Sequence, residues 1–509
     1  MKAIKFIFSK FFPTVLLMLL QLSLIVFVLT VANEYFVLFQ VLCDVAAVLT
    51  FLKIVNKKTN PEYKIPWIFL ILALPVFGLT VYALFANPKL SKRESRRMHK
   101  IRQKAEPLCQ SDPSATQTAL ERMDGYDGIS RYLSATSKLP CSVGNRVTYY
   151  KVGEDMWRDM LDELGKAQKF IFLEYFIVDQ GKMWDSIHEI LVRKVAEGVE
   201  VRMMYDDIGT LTMQRHGYWR ELRKEGIDCC KFGSFRPVLS GIYNNRDHRK
   251  ITVIDGRVGY TGGDNIGDEY INEKPRLGHW KDSGIKIEGP AVANLTAMFL
   301  PLFDVTSKED LSYEKYFPKD LPTFADEGVL HVFGDGPNPY YTEQIGENNF
   351  INMIAAAKRY VWITTPYLII DFNLSTALKN AALRGVDVRI VTPHIPDKKF
   401  VFDMTRSTYR QLMKSGVKIY EYTPGFMHAK NVVVDDVLAF VGTINFDYRS
   451  LTHHFECGAV MYRTPCIADM VADFNEVFGK SQQIDPKTFK MSKLATFCTL
   501  ILQLFAPML

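Results

Sequence analysis

The stretch NRDHRKITVIDGRVGYTGGDN, residues 245–265, decides the fold of this 509-residue chain, because its spacing of charged residues occurs twice. It contains an H-x-K-x4-D pattern formed by His248, Lys250 and Asp255. The stretch MHAKNVVVDDVLAFVGTIN, residues 427–445, repeats the pattern with His428, Lys430 and Asp435. Each copy also has a glycine and an asparagine at matched distances downstream, which are Gly262 and Asn265, then Gly442 and Asn445. One such pattern is weak evidence, but two copies with matched downstream residues predict a duplicated functional site.

Each copy predicts a β-strand that carries the histidine and the lysine on one face. The segments HRKITVID and HAKNVVVD are rich in β-branched residues, and positions i and i+2 of a strand face the same side. In each copy the histidine and the lysine are therefore expected to enter one site. We count Asp255 and Asp435 with the catalytic motif, but their opposite parity and predicted turns indicate a structural role. An ordinary strand with solvated charges is the alternative, which the duplication disfavours.

The duplication extends beyond the two motifs. In the first half, the strand pattern KFIFLEYFIVD, the helical pattern WDSIHEILVRKVAEG and the strand pattern VEVRMMYDD follow one another, which predicts a β-α-β unit in a parallel sheet. The second half repeats this order with RYVWITTPYLIID, STALKNAALRG and VDVRIVTP. We therefore predict an α/β fold of two tandem lobes that are related by a pseudo-two-fold axis and share one cleft. In this alignment Tyr175 and Tyr367 occupy equivalent places.

Composition divides the chain into six predicted segments. They are an N-terminal membrane region with a basic run (1–104), a connector with one short helix (105–146), the first lobe (147–304), a linker (305–335), the second lobe (336–490) and an apolar C-terminal segment (491–509). The last segment contains Leu494–Phe505, which is too short to span a bilayer. We expect it to form an interfacial helix, with a core helix as the alternative.

Three apolar segments predict transmembrane helices, which are Phe11–Val31, Phe36–Val55 and Pro66–Ala86. The first could instead be a cleaved signal peptide. Counting Lys and Arg does not orient the spans, because the two possible topologies place seven or eight basic residues in the cytoplasm. The eight cysteines show no paired framework or metal spacing, which favours a reducing compartment and a cytoplasmic catalytic part. The basic run at 89–104 follows the membrane region and is expected to attract anionic lipid headgroups.

The paired motifs resemble the phospholipase D superfamily, and within it the bacterial cardiolipin synthases. The resemblance covers about residues 36–509, and five blocks carry it: FLEYFIVD (172–179), RDHRKITVIDGRVGYTGGDNIGDEYI (246–271), IKIEGPAV (285–292), TTPYLIID (364–371) and MHAKNVVVDD with GTINFDYRSLTHHFECG (427–458). It implies an enzyme that transfers a phosphatidyl group from one phosphatidylglycerol to another, through a phosphohistidine, and releases glycerol. It also implies that His248 is the nucleophile and His428 the general acid and base, which the sequence itself does not decide.

Two histidines and two lysines in one cleft suit phosphoryl transfer through a covalent intermediate. The expected hydrogen-bond donors to the non-bridging phosphate oxygens are Lys250, Lys430, Asn265 and Asn445. Because these cations are part of the chain, neither a metal nor another cofactor is predicted. His453 and His454 are adjacent and suggest a metal site, but neighbours on a strand face opposite sides, so we predict no metal there.

Each histidine is expected to have an acidic partner that sets its tautomer. Aligning HWKDSGIKI with THHFECGAV places Asp282 opposite Glu456, and these two are the candidates. Exposed carboxylates at strand ends are the alternative interpretation, and it is stronger for Asp282.

The predicted membrane segments favour cardiolipin synthesis, with phosphatidylglycerol and other membrane lipids as partners. A phospholipase D or a phosphatidylserine-type transferase, with water or serine as the acceptor, would use the same residues. A membrane-anchored nuclease is the third hypothesis, and it would need a basic, aromatic groove in the catalytic part. The strongest basic run instead lies beside the membrane region, so no nucleic-acid partner is predicted.

Overall fold

The computed structural model describes residues 36–86, 92–109, 113–211, 213–215, 217–234, 245–325 and 327–508, and three isolated positions before residue 36. The predicted segment Phe11–Val31 therefore lies outside the described residues. The chain divides into two compact units. The membrane unit takes in 1–90, 234–245 and 501–509, and the catalytic unit takes in 91–233 and 246–500. Both motifs belong to the catalytic unit.

The described helices of the membrane unit are α1 (Phe36–Val55), α2 (Ile65–Ala73) and α3 (Pro75–Phe85). Helix α1 exposes large apolar side chains, among them Leu42 and Leu49, which leave 59% and 62% of their surface exposed. Its stretch Leu38–Val55 has a mean hydropathy of 2.0 and is only 11% buried. Within the described part of the chain, α1 is the one helix whose length and composition suffice to cross a bilayer.

The prediction of one continuous span over Pro66–Ala86 is wrong. Helices α2 and α3 are separated by Leu74, whose φ and ψ are −140° and 77°. Pro75 explains the break, because proline lacks a backbone N–H and disfavours helical geometry in the residue before it. At Gly78 a side chain would collide with the backbone of α2 at Leu70 and Ile71, so the glycine lets the two short helices pack closely.

The helices that follow are α4 (Lys92–Cys109), α5 (Pro113–Glu121), α6 (Asp127–Ser137), α7 (Gly153–Lys166), α8 (Lys182–Ala196), α9 (Tyr218–Lys224), α10 (Val292–Ser307), α11 (Ile345–Ala356), α12 (Phe372–Leu383), α13 (Lys399–Met413), α14 (Tyr448–Thr452), α15 (Cys466–Gly479) and α16 (Lys493–Phe505).

The strands of the first half are β1 (Arg146–Tyr150), β2 (Phe170–Tyr175), β3 (Glu200–Asp206), β4 (Asp228–Phe232), β5 (Lys250–Ile254), β6 (Val258–Gly262), β7 (His279–Lys281) and β8 (Gly284–Glu288). Those of the second half are β9 (Val329–Asp335), β10 (Tyr360–Thr364), β11 (Leu368–Ile369), β12 (Asp387–Pro393), β13 (Lys418–Tyr422), β14 (Gly425–Met427), β15 (Asn431–Val434), β16 (Leu438–Gly442), β17 (Phe446–Asp447), β18 (Glu456–Tyr462) and β19 (Ser481–Gln483).

The two main sheets have the same strand order, which confirms the predicted tandem repeat. The first runs β1-β8-β6-β5-β2-β3-β4, and the second runs β9-β18-β16-β15-β10-β12-β13 with β19 added at its edge. As predicted, the β-α-β units are parallel, because β2 pairs with β3 and β10 with β12 in that direction. The motif strands β5 and β15 pair antiparallel with β2 and β10. The sheets are therefore mixed rather than parallel throughout.

The strand pairing corrects the predicted equivalence of Tyr175 and Tyr367. Val178 bridges Ile266 in the first lobe, and Leu368 pairs with Phe446 in the second. Ile266 and Phe446 each follow the motif asparagine, so Leu368 corresponds to Val178 and the alignment is shifted by two residues. Tyr175 packs in the first core, where its hydroxyl lies 2.7 Å from the hydroxyl of Thr252.

Several predicted segment boundaries also differ from the structure. The connector at 105–146 includes the end of α4, all of α5 and α6, and the start of β1, instead of one short helix. The linker at 305–335 ends in β9, which is buried along its whole length in the second sheet. Helix α4, which carries most of the basic run, belongs to the catalytic unit.

Three cations of the basic run contact the catalytic unit itself. Arg97 donates to the backbone oxygens of Asp304 and Glu309, and Arg102 donates to those of Ser137 and Tyr340. The ammonium group of Lys104 lies 2.8 Å from the carboxylate of Asp310. These side chains hold α4 in place, so the expectation that the run as a whole faces lipid is wrong for these three positions.

Candidate active site

The histidine of each motif lies two or three residues before a buried strand. His248 precedes β5 and His428 precedes β15, and both imidazoles are largely buried, with 7% and 8% of the residue surface exposed. Lys250 and Lys430 are 1% exposed. Each lysine ammonium donates to the backbone oxygen of the histidine two residues earlier. The structure therefore brings the histidine and the lysine of each motif together.

The acidic partners are exchanged between the lobes. His248 Nδ1 lies 3.0 Å from both carboxylate oxygens of Glu456, which belongs to the second lobe. His428 Nδ1 lies 2.5 Å from Oδ2 of Asp282, which belongs to the first lobe. A carboxylate can only accept, so Nδ1 of each imidazole donates, and in the neutral ring Nε2 keeps its lone pair. Each histidine is thus oriented by the opposite lobe.

Backbone pairing between the lobes fixes this exchange. Strand β7, which ends one residue before Asp282, pairs in parallel with β14, which ends one residue before His428. The equivalent bridge in the other direction joins Asp247 to Phe455. Accordingly, the backbone N–H of His428 donates to Lys281 and that of His248 donates to Phe455. The pseudo-two-fold symmetry therefore holds within the active site itself.

Glu456 is held by two hydroxyl groups in addition to His248. Ser450 donates to Oε1 at 2.5 Å, and Thr443 donates to Oε2. Asp282 receives the backbone N–H of Ser283 at 3.0 Å. Sequence reasoning did not single out Ser450 or Thr443, although both lie in the block that carries the resemblance. Hydroxyl donors of this kind fix the position of the carboxylate beside the imidazole of His248.

The glycines that follow each motif permit close strand approach. Gly262 pairs with Gly284 across β6 and β8, and Gly442 pairs with Gly458 across β16 and β18. A Cβ at Gly262 or Gly442 would lie about 2.5 Å from the backbone of the neighbouring strand. The glycine at this position is therefore a packing requirement.

The two motif aspartates lie in tight turns and not beside the imidazoles. Asp255 has a φ of 53° and Asp435 a φ of 55°. The carboxylate of Asp255 accepts three backbone N–H groups, at residues 168, 169 and 170, over 2.7–2.9 Å. Asp435 does the same at residues 358, 359 and 360 over 2.6–2.8 Å. This geometry supports a structural role for both.

The asparagines occupy matched positions but make different contacts. Asn265 donates to the hydroxyl of Tyr270 at 2.7 Å and accepts the backbone N–H of Ile177 at 3.0 Å. Asn445 has a buried side-chain oxygen with no hydrogen-bond partner among the described residues. The amide of Asn265 is therefore already engaged, and Asn445 is the more available of the two for a ligand.

Burial dominates the electrostatics of the site. It lowers the pKa of His248 well below the usual value, and Lys250 and Lys430 add to that effect. Burial and Lys430 lower the pKa of His428 to about 4, against the opposing attraction of Asp282. Burial also lowers the pKa of Lys250 to about 7 and that of Lys430 to about 8, although nearby carboxylates oppose it. An anionic ligand would reverse these shifts, because it favours the charged forms.

The two imidazoles have different neighbours. The ring of His428 is surrounded by Tyr270, Trp280 and Phe426, with centroids 5.7, 5.1 and 5.8 Å away. The ring of His248 is flanked by Phe176 at 5.1 Å and by His454 at 5.5 Å. Aromatic faces attract a cation, so the surroundings of His428 suit a protonated imidazole better.

The prediction of no metal at His453 and His454 assumed that both residues lie on a strand. That assumption is wrong, because they follow the short helix α14. Among the described residues, His454 groups with His248 and Glu456, and the ligating atoms of these three residues all lie within 4.8 Å of one another. No feature of the sequence identified this group, because it forms only when the two lobes meet.

The duplicated sheets, the paired H-x-K motifs and the shared buried site define a protein of the phospholipase D superfamily. Residues 160–295 and 350–478 match the family model described as "Cardiolipin synthase, PLD-like domain", and residues 45–87 match the model described as "Phospholipase_D-nuclease N-terminal". The chain therefore belongs to the cardiolipin synthase family, as the resemblance implied, and is an enzyme of the phosphatidyltransferase type.

Individual relatives and one solved structure are similar to most of the chain. An uncharacterized protein of Streptococcus mutans is 40% identical over 90% of this chain and 99% of its own length. A cardiolipin synthase of Alkalihalophilus pseudofirmus is 35% identical over 85% of this chain and 86% of its own. A phosphatidylserine synthase of Haemophilus influenzae has a similar solved structure, with a TM-score of 0.55, 13% identity and coverage of 75% and 97%. At that identity the likeness shows the fold alone.

Proposed function

We propose that this enzyme makes cardiolipin from two molecules of phosphatidylglycerol and releases glycerol. The observation that carries the proposal is the pair of buried imidazoles, each oriented by a carboxylate of the opposite lobe, in a chain of the cardiolipin synthase family. The exposed apolar helix α1 supports a lipid substrate, because it would keep the catalytic unit beside a bilayer. Relatives named cardiolipin synthase add to this support.

In the first half-reaction, His248 is the nucleophile. Its Nε2 lone pair attacks the phosphorus of the first phosphatidylglycerol, and the bond from phosphorus to the glycerol headgroup oxygen breaks. His428, protonated on Nε2, gives its proton to the departing alkoxide, so glycerol leaves and a phosphatidyl-histidine remains. Glu456 stabilises the positive charge that develops on the His248 ring.

In the second half-reaction, His428 acts as the base. Its neutral Nε2 takes the proton from a headgroup hydroxyl of the second phosphatidylglycerol, and that oxygen attacks phosphorus. The bond from phosphorus to His248 breaks, which releases cardiolipin and returns both imidazoles to their starting states. Asp282 supports this division of roles, because its charge favours the protonated form of His428 against the burial that lowers the pKa of that imidazole to about 4.

The lysines hold the negatively charged phosphate during both steps. Lys250 and Lys430 are buried point charges beside the two imidazoles, and they stabilise the charge on the non-bridging oxygens. Their ammonium groups donate to backbone oxygens in the ligand-free site, so they retain further N–H groups for phosphate. Asn445, with its unpartnered side-chain oxygen, is positioned to contact the lipid headgroup, and Asn265 acts through Tyr270.

The N-terminal region anchors the enzyme as a multi-pass membrane segment, with the catalytic unit on the cytoplasmic side. Helix α16 adds to this anchoring by lying in the membrane interface. Its side chains Leu494, Phe497 and Leu500 each leave more than 60% of their surface exposed. Together these apolar surfaces would hold the catalytic unit where both substrates are found.

Incubation of the detergent-purified enzyme with phosphatidylglycerol alone tests the proposal. Lipid mass spectrometry and a glycerol assay should detect cardiolipin and glycerol in equal amounts. Phosphatidic acid as the sole product would instead identify a hydrolase that uses water as the acceptor. A requirement for added serine or another hydroxyl compound would identify a transferase of a different acceptor class.

A further inference from the structure

His454 is a third histidine in the active site, and the proposed reaction does not use it. Its ring centroid lies 5.5 Å from that of His248, and its Nδ1 lies 3.6 Å from Oε1 of Glu456. Both of its ring nitrogens are buried and have no hydrogen-bond partner among the described residues. A buried imidazole without such a partner is unusual, because a buried polar group that makes no hydrogen bond destabilises the fold.

Two of the distances between these groups are close to those of a metal site. Zinc bound tetrahedrally to imidazole and carboxylate has bonds of about 2.0–2.1 Å, which places its ligand atoms about 3.4 Å apart. The observed distances from Glu456 Oε1 are 3.0 Å to Nδ1 of His248 and 3.6 Å to Nδ1 of His454. All three ligating atoms lie within 4.8 Å of one another. Shifts of a few tenths of an ångström would let Glu456 and either imidazole bind the same metal ion.

We propose that His248, His454 and Glu456 form an inhibitory site for a borderline transition-metal dication such as Zn²⁺. Two imidazoles and one carboxylate form the ligand set that such ions prefer, whereas Mg²⁺ and Ca²⁺ prefer oxygen ligands alone. With three protein ligands, the fourth position is open to water or to a phosphate oxygen. The group differs from the pair His453 and His454, because only His454 takes part.

Metal binding at this site would block the nucleophile directly. In the metal-free site, Nδ1 of His248 carries the ring proton and donates it to Glu456, which leaves the lone pair on Nε2. A metal bound at Nδ1 takes that position, so the single proton of the neutral ring moves to Nε2. The imidazole then has no lone pair to attack phosphorus. This consequence rests on the proposed role of His248, whereas metal binding itself does not.

The neighbouring cations limit the affinity of the site. Lys250 and Lys430 lie close enough to lower the pKa of His248, and they would repel a dication in the same way. Ser450 and Thr443 already donate to Glu456 and weaken it as a ligand. We therefore expect reversible binding that a chelator removes, in contrast to the tightly held zinc of a structural site.

Titration of the EDTA-stripped, detergent-purified enzyme with Co²⁺ tests the proposal without an activity assay. The visible absorption of four-coordinate Co²⁺ should appear at one equivalent in the wild-type enzyme and in His453→Gln. It should be absent in His454→Gln, and circular dichroism melting would show that this variant is folded. His454→Asn repeats the test if the first variant does not fold. Equal Co²⁺ absorption in a folded His454 variant, or none in the wild type, would overturn the proposal.

Inhibition provides the second readout. Zn²⁺ should inhibit cardiolipin formation reversibly, Mg²⁺ should not, and EDTA should restore the rate. Measured against the metal-free rate of each variant, the inhibitory Zn²⁺ concentration should rise at least about tenfold in His454→Gln and stay unchanged in His453→Gln. An unchanged value in His454→Gln would place inhibition elsewhere. Failure to make cardiolipin at all would contradict the proposed function, but the Co²⁺ result would still stand.

Discussion

Replacing the two exchanged carboxylates by neutral amides should distinguish the nucleophile from the general acid and base. Glu456→Gln removes the negative charge beside His248, and Asp282→Asn removes the one beside His428. Because Glu456 belongs to the second lobe and Asp282 to the first, each substitution should impair the histidine of the opposite lobe. The experiment therefore tests the exchange and the proposed assignment of roles together.

The expected size of the effect follows from the contact distances. A full positive charge on His248, 3.0 Å from the Glu456 carboxylate, gains about 5.5 kcal/mol at an effective dielectric constant of about 20. That energy corresponds to about 10⁴-fold in rate. A neutral amide keeps part of the interaction, so we expect each substitution to slow cardiolipin formation by about 10³–10⁴-fold.

A donor lipid with a p-nitrophenol headgroup distinguishes the two variants. This leaving group needs no proton, so Asp282→Asn should form phosphatidyl-histidine at His248 within about tenfold of the wild-type rate. Glu456→Gln should remain slow with the same donor, because the attacking ring has lost its orienting partner. Rapid quench followed by peptide mapping measures the rate and the position of the label.

Glu421→Gln is the matched control, because Glu421 is also a buried carboxylate paired with an imidazole, that of the exposed His394 at 3.1 Å. That pair lies outside the motifs, so the control should label His248 at the wild-type rate. A slow Asp282→Asn with the nitrophenol donor, together with a fast Glu456→Gln, would refute the proposed roles of the two histidines. Label at His428 would reverse the roles, and label at neither histidine would argue against a covalent route.

Three further predictions follow from the site and its turns. Activity on phosphatidylglycerol should survive excess EDTA, because the required cations are Lys250 and Lys430; loss on chelation that Mg²⁺ restores would contradict this. The kcat/KM of the enzyme should fall as pH rises through about 7–8, since burial lowers the pKa of Lys250 to about 7 and of Lys430 to about 8, and their charge is lost above those values; a pH–rate profile that stays flat to pH 9 would contradict it. Asp435→Ala should destabilise the fold by about 2–4 kcal/mol, because three backbone N–H groups lose their acceptor, whereas Asp436→Ala, an exposed neighbour that also has a positive φ, should cost less than about 1 kcal/mol; differential scanning calorimetry of both variants checks the difference.

The sequence by itself determined the features that depend on local spacing. The i, i+2 relation of histidine and lysine in a strand, the repeated order of strand and helix patterns, and the downstream glycines predicted two similar lobes and a shared site. Strand parity also separated Asp255 and Asp435 from the imidazoles. The same block alignments identified the family, because a duplicated motif with matched flanking residues rarely arises by chance.

Local patterns were less reliable where one residue or a distant partner changes the outcome. The apolar composition of Pro66–Ala86 predicted a single helix, but Pro75 breaks it, since proline restricts the residue before it. The basic run predicted a lipid-facing surface, but Arg97 and Arg102 find acceptors more than 30 residues away in sequence. Composition does not indicate which backbone oxygens a folded chain leaves available.

Only the tertiary structure decided which carboxylate serves which histidine. The alignment placed Asp282 opposite Glu456, and this is equally compatible with partners from the same lobe or from the opposite lobe. The exchange depends on the pairing of β7 with β14 and of Asp247 with Phe455, contacts that form when the two lobes pack together. His454 joins His248 for the same reason. The paired residues, 146 and 208 positions apart, meet because each lobe buries its face against the other, and no local spacing encodes that arrangement.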